Sequence, residues 1–207
     1  MDKSRIEAFS DGVFAIVITL LIFNIKVPTL VQPVSDTALW YELGLLTPTF
    51  VIYMVTFAVI SVLWINHHFI FHSYAKVVDR QLNLLNLLYL MFVAFLPFSA
   101  NFIGLYIMHQ PAAILYGVNI FLIVLLTAYM TYYIRSRPKL LNEKLSSRTI
   151  RQGQIRSQIS LIFYALGIIA TFIYVPLSIL LYAFPIIFNI IPGSLDFSER
   201  MFGFTID

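Results

Sequence analysis

The stretch RIEAFSDGVFAIVITLLIFNI, residues 5–25, decides how the chain is read. It opens on an arginine, a glutamate, a serine and an aspartate, then turns apolar, with Thr19 the one hydroxyl inside the apolar run. A helix needs roughly 20 mainly apolar residues to cross a bilayer's hydrocarbon layer, and residues 7–26 supply them. The segment lacks a small-residue cleavage site and carries Asp11 near its start, so it is expected to stay in the protein as a membrane span.

The rest of the chain agrees with a membrane setting. Of 207 residues, 60% are hydrophobic and only 11% charged, and the mean hydropathy is +0.87. That profile excludes an ordinary soluble domain. The net charge of +3 does not point to nucleic acid, because the basic residues gather in short segments between apolar runs. No cysteine is present, which removes disulfides and thiolate metal sites from consideration.

Further spans are expected at about 45–71, 82–107 and 112–134. The apolar stretch 160–191 is too long for one crossing and contains Pro176, which breaks helical hydrogen bonding, so two short helices are expected to meet near residues 174–176. The expected fold is an all-α integral membrane protein with six transmembrane helices in one domain covering residues 1–207. Pro97 and Pro185 predict kinks or helix ends. Residues 138–157 suit a cytoplasmic helix on the lipid headgroups or a continuation of the fourth span.

Charge sets the orientation. Lys3 and Arg5 precede the first span, Lys76 and Arg80 separate the second from the third, and residues 135–156 hold seven basic side chains against one glutamate. The alternate loops lack a basic cluster, so both termini are expected in the cytoplasm.

With that topology, polar residues converge at one depth of the inner leaflet. Asp11 lies one turn into the first span, Trp64, Asn66, His67 and His68 close the second, and Asn83 and Asn86 open the third. Polar groups at such depth are costly unless partnered, so a hydrogen-bonded cluster joining the three spans is expected, with Arg5 an obvious partner for a carboxylate and Glu7 competing for it. A structural clamp is the commoner fate of such clusters; a proton relay or a catalytic acid–base pair is the functional alternative. His68 and His72 share a helix face at i, i+4 spacing, as a metal or haem site uses, yet His109 is expected at the opposite membrane face and no other histidine-rich helix supplies further ligands.

Ile16, Thr19, Leu20 and Phe23 follow at i, i+3, i+4 and i+7, forming one stripe of the first helix, and Asp11 points away from it. Arg5, Phe9, Ser10 and Asp11 spell R-x-x-x-F-S-D directly before GVFAIVITLL, and WINHHFIF closes the second span. This pattern resembles the opening of the transmembrane protein 175 family, the lysosomal and bacterial potassium channels. The resemblance implies a homotetramer in the cell membrane, of prokaryotic type, whose first helix lines a central pore. It places the constriction on Ile16, further pore-facing positions on Thr19, Leu20 and Phe23, and the holding cluster on Arg5, Phe9, Ser10 and Asp11 with Trp64, Asn66, His67, His68 and Asn83. The expected permeant ion is potassium, with other monovalent cations as possible companions and lipid as the surrounding partner; no cofactor, metal or nucleic acid is expected. No T-V-G-Y-G filter occurs in the chain, so selectivity would fall to the isoleucine ring and the threonine ring beside it. Two other classes stay open on the residues alone: a membrane-embedded histidine metal or haem enzyme, and a proton-coupled secondary transporter using Asp11.

Overall fold

The structure, a computed structural model, describes residues 2–30 and 32–191. Seven α-helices form among the described residues. They are α1 (Lys3–Leu20), α2 (Asp36–Leu45), α3 (Thr47–His68), α4 (Arg80–Leu105), α5 (Gln110–Arg135), α6 (Ser147–Ala170) and α7 (Val175–Ile190). Local chemistry sets their starts. Asp2, Ser35, Asp79 and Ser146 each accept a backbone N–H at a helix N-terminus, satisfying donors that the helix itself leaves unpaired. Proline occupies the first turn of α3, α5 and α7, where its missing N–H costs nothing.

Four helical segments are long and apolar enough to cross a membrane: Lys3–Asn24, Thr47–Tyr74, Arg80–Leu105 and Gln110–Arg135. The first and second gain length from irregular ends, a 3-10 turn at Leu21–Asn24 and a π-helical turn at Phe69–Tyr74. Helix α6 begins with three arginines and becomes apolar later, and α7 is apolar but only 16 residues long. The break between them falls at residues 171–174, close to the expected meeting point, with Pro176 in the first turn of α7. Pro97 and Pro185 lie inside α4 and α7 rather than at their ends.

Sequential helices α4, α5, α6 and α7 pack as neighbours, and α1 lies against α3 and α4. The buried centre is formed by Ile60, Phe71, Leu82, Tyr89, Ile120, Ile123 and Met130. Tyr182 crosses the α5–α6 seam, with its ring against Gly117 and Gly167; a side chain at either glycine would collide with that ring.

One expectation is corrected. Residues 136–146 do not continue the fourth span as a helix. Pro138 cannot extend α5, and the loop's peptide groups pair instead with the segment after the π turn, through Lys76 N–H to Leu140 O at 2.7 Å and Asn142 N–H to Tyr74 O at 3.0 Å. The remaining part, from Ser147, is the start of α6. The connection between the first two spans holds a helix of its own: α2 occupies Asp36–Leu45, started by Ser35. The expected cytoplasmic C-terminus falls on residues 192–207, outside the described residues.

Candidate pore helix and its polar anchor

Helix α1 has two unlike sides. Ile6, Ser10, Phe14 and Val17 are buried at spacings of four, four and three, followed by Leu21 in the 3-10 turn, which makes one face against α3 and α4. On the other side Ile16 is 59% exposed, Leu20 46% and Phe23 75%, and Thr19 is exposed with them. The Thr19 hydroxyl donates to the carbonyls of Ala15 and Ile16, both at 2.9 Å, which leaves its oxygen lone pairs on the bare side. Gly12 is also on this side, and a Cβ built there would meet nothing within 4 Å.

A buried chain of hydrogen bonds anchors the other face. His67 Nε2 lies 2.7 Å from Asn86 Oδ1, Asn86 Nδ2 donates to Ser10 Oγ at 2.9 Å, and Ser10 donates to the Ile6 carbonyl at 2.9 Å. With the amide oxygen of Asn86 able only to accept, His67 carries a proton on Nε2. Its imidazole is stacked on Phe71 with centroids 4.6 Å apart and on Tyr89 at 5.4 Å, while Phe14 of α1 tilts against it at 5.5 Å. Three helices are thereby tied by groups that water cannot reach, and loss of any one leaves a buried polar partner stranded.

At the rim of this anchor, Trp64 Nε1 donates to Asp11 Oδ1 at 2.8 Å. His68 stands beside Trp64 at 5.8 Å and stacks on His72 at 5.0 Å. Glu7, one turn before Asp11 on α1, approaches His72 Nδ1 at 3.8 Å and Lys3 at 3.9 Å. Lys3 also donates to the carbonyls of His72 and Ala75, at 3.0 and 2.8 Å, capping the π turn with positive charge.

Not every residue singled out in the sequence joins the anchor. Arg5 does not pair with Asp11; it is exposed and shares a shallow hollow with Phe9, Asn83, Ile6 and Leu87. Asn66, one residue before His67, is turned by about 100° around the helix and lines a different crevice beside α6 and α7. Lys3 and the aromatic cage of His67 escaped sequence reasoning, and Asn86, the central link, stood there as one polar residue among several. A lysine three residues into the chain carries no signal of the carbonyls it will cap. Among the described residues, no group of three histidine, aspartate or glutamate side chains is placed to hold a metal ion.

An all-helical bundle with four helices long and apolar enough to cross a membrane, and a first helix bare along one side, defines the class of multi-span helical membrane proteins. Comparison with known proteins narrows the class. The family model described as endosomal/lysosomal potassium channel TMEM175 matches residues 5–97. A protein named potassium channel from Streptomyces collinus is 34% identical over 182 residues, 86% of each chain. Another potassium channel, from Chryseobacterium, is 31% identical over 175 residues, covering 84% of this chain and 85% of that one. The crystal structure of a lysosomal potassium-selective channel TMEM175 homolog from Chamaesiphon minutus superposes with a TM-score of 0.76 at 30% identity, over 90% of this chain and 95% of that chain. The chain belongs to the TMEM175 family. Its relatives are named as ion channels rather than enzymes, in keeping with the sequence reading.

Proposed function

We propose that the protein is the subunit of a potassium-permeable cation channel of the prokaryotic plasma membrane, with α1 from each copy of a homotetramer lining a central pore. The observation that carries this reading is the division of α1 into a face anchored by Ser10 and Phe14 and a bare face bearing Ile16, Thr19, Leu20 and Phe23. One helix cannot enclose a path, and closed rotational symmetry is the ordinary way for several copies to do so. In this reading α6 and α7 complete a six-span unit with α1, α3, α4 and α5, and the basic loops face the cytoplasm.

The conduction mechanism follows from the side chains of the bare face. A ring of Ile16 makes a dry constriction that an ion passes only by losing water, and potassium dehydrates at lower cost than sodium. Thr19, whose hydroxyl proton is engaged by its own helix, presents oxygen lone pairs one turn further out and replaces part of the lost hydration. Leu20 and Phe23 extend the apolar lining outward. Asp11, bonded to the Trp64 indole, faces the protein rather than the ion and positions the helix.

The caged imidazole of His67 does not favour a histidine metalloenzyme, because its ring is enclosed by Phe14, Phe71 and Tyr89. Single-channel recording of Ile16→Asn in planar bilayers tests the reading. Larger current with weaker discrimination of potassium over sodium is expected, whereas unchanged conductance and selectivity would remove Ile16 from the constriction.

A further inference from the structure

After Leu20 the first span tightens. Leu21–Asn24 form a 3-10 turn packed against α3 and α4, and the chain leaves it in extended conformation at Ile25. We propose that Asn24 is a positioning residue for the lining of the pore: by holding this turn against α4, it fixes where Phe23 stands on the bare face. The proposal rests on the pore reading of α1 and adds to it the group that sets the register of the last lining residue.

A 3-10 helix turns about 120° and rises about 2.0 Å per residue, against about 100° and 1.5 Å in an α-helix. Over Leu21, Ile22 and Phe23 the difference accumulates to about 60° around the axis and about 1.5 Å along it. Phe23 is thereby carried from the middle of the α-helical stripe toward the line of Leu20, and at 75% exposed it projects further than Ile16 or Leu20. Its place depends on the turn, and the hydrogen-bond geometry of a 3-10 turn is poorer than that of an α-helix, so support from outside the turn decides its shape.

That support comes at both ends. Leu21, 1% exposed, seats the start of the turn in the core. At the far end the Asn24 side chain donates from Nδ2 to the Pro97 carbonyl, inside α4, at 3.3 Å. A carbonyl has two acceptor sites, so Pro97 can take this side chain besides a backbone donor. Asn24 also borders a cavity of about 20 Å³ whose polar lining includes Thr49, Thr56 and Asn101, room for about one water. An amide suits that seat. A leucine of similar size offers Pro97 no donor and sets an apolar side chain among polar groups.

The test uses the full-length protein in bilayers with Phe23→Cys as its single thiol, and follows modification by a charged methanethiosulfonate reagent as current and as mass. Asn24→Leu in this background is expected to change the modification rate at residue 23 about fivefold, as the turn relaxes toward α-helical geometry, and to leave the rate at Ile16→Cys unchanged. Asn119→Leu breaks another buried amide contact, the 3.1 Å bond to Ser99, and should lower the melting midpoint without moving the rate at residue 23. An unchanged rate at residue 23 in Asn24→Leu overturns the proposal and leaves the pore helix standing. Equal changes at residues 16 and 23, or an equal change in Asn119→Leu, also overturn it, by reducing the effect to general loosening. Complete labelling at residue 23 with undiminished current takes Phe23 off the pathway and the proposal with it, whereas block at residue 16 would still uphold conduction along α1. Should Asn24→Leu fail to assemble, Asn24→Ala, which removes the amide without adding bulk, decides by the same rate.

Discussion

Trp64 holds Asp11 through a single indole hydrogen bond of 2.8 Å, linking the C-terminal end of α3 to α1. The acid is only half-buried and the tryptophan is partly exposed, so solvent competes for both partners. Trp64→Phe keeps the ring and removes the donor; it is expected to cost about 1 kcal/mol of stability. Thermal unfolding and size-exclusion chromatography should report a looser assembly, with the ion preference of surviving channels unchanged. A stable assembly with altered ion preference would give Asp11 a role in permeation instead.

The buried chain from His67 through Asn86 to Ser10 should respond more strongly. Asn86→Leu strands the His67 Nε2–H in an apolar surround and should cost about 2 kcal/mol. Replacing both partners by apolar groups, in Asn86→Leu with His67→Phe, should recover part of that loss, because the orphaned donor is gone. Unfolding measurements on the two single variants and the double variant complete the cycle. Additive losses would mean that the hydrogen bond contributes no coupling.

These two anchors also mark how far the sequence could be read. The apolar lengths announced four long spans, and Pro176 announced the break before α7, because span length and proline chemistry are local properties. The likeness of residues 5–11 to a channel motif pointed to the family. Pairing was less legible. Asn66 and His67 are adjacent in sequence, yet one faces the α6–α7 crevice and the other faces α1, since a step of one residue turns a helix by about 100°. Arg5 carries the formal charge best suited to Asp11, but the indole of Trp64 reaches it and Arg5 projects from the other flank of α1. The π turn at Phe69–Tyr74 and the helix at Asp36–Leu45 depend on neighbouring segments and on a cap more than on hydrophobic period.

Gly12 separates folding of one chain from assembly. A side chain there has open space within the chain, and leucine is the better helix former by about 1 kcal/mol. Gly12→Leu is therefore expected to keep the helical content and stability of the single chain while disrupting the approach of α1 copies. Circular dichroism would be unchanged, and light scattering in detergent would show a smaller assembly. An intact oligomer with normal current would place Gly12 away from any subunit contact.

Acid should act at the N-terminal start of α4. Burial tends to raise the Asp79 carboxyl, but the Leu82 N–H, the Tyr133 hydroxyl and the Arg137 guanidinium outweigh it and hold the group below its ordinary range. Asp79 accepts from Leu82 N–H at 2.8 Å and from Tyr133 at 2.7 Å. A carboxyl with a depressed folded value stabilises above its unfolded value and loses that contribution as the pH falls through the folded one. Melting midpoints followed downward from about pH 6 to about pH 3 should therefore fall less steeply in Asp79→Asn than in the unaltered protein. Parallel curves would show that Asp79 gains nothing from its partners.

The absence of cysteine from the chain permits a direct look at the pathway. Ile16→Cys provides a single thiol on the bare face of α1, and Ile173→Cys provides one at a position 81% exposed beyond the end of α6. Recording current before and after a charged methanethiosulfonate reagent, with labelling at both sites verified by mass, is the decisive measurement. Block at residue 16 with little change at residue 173 is the predicted result. Full labelling at residue 16 with undiminished current would contradict conduction past this helix.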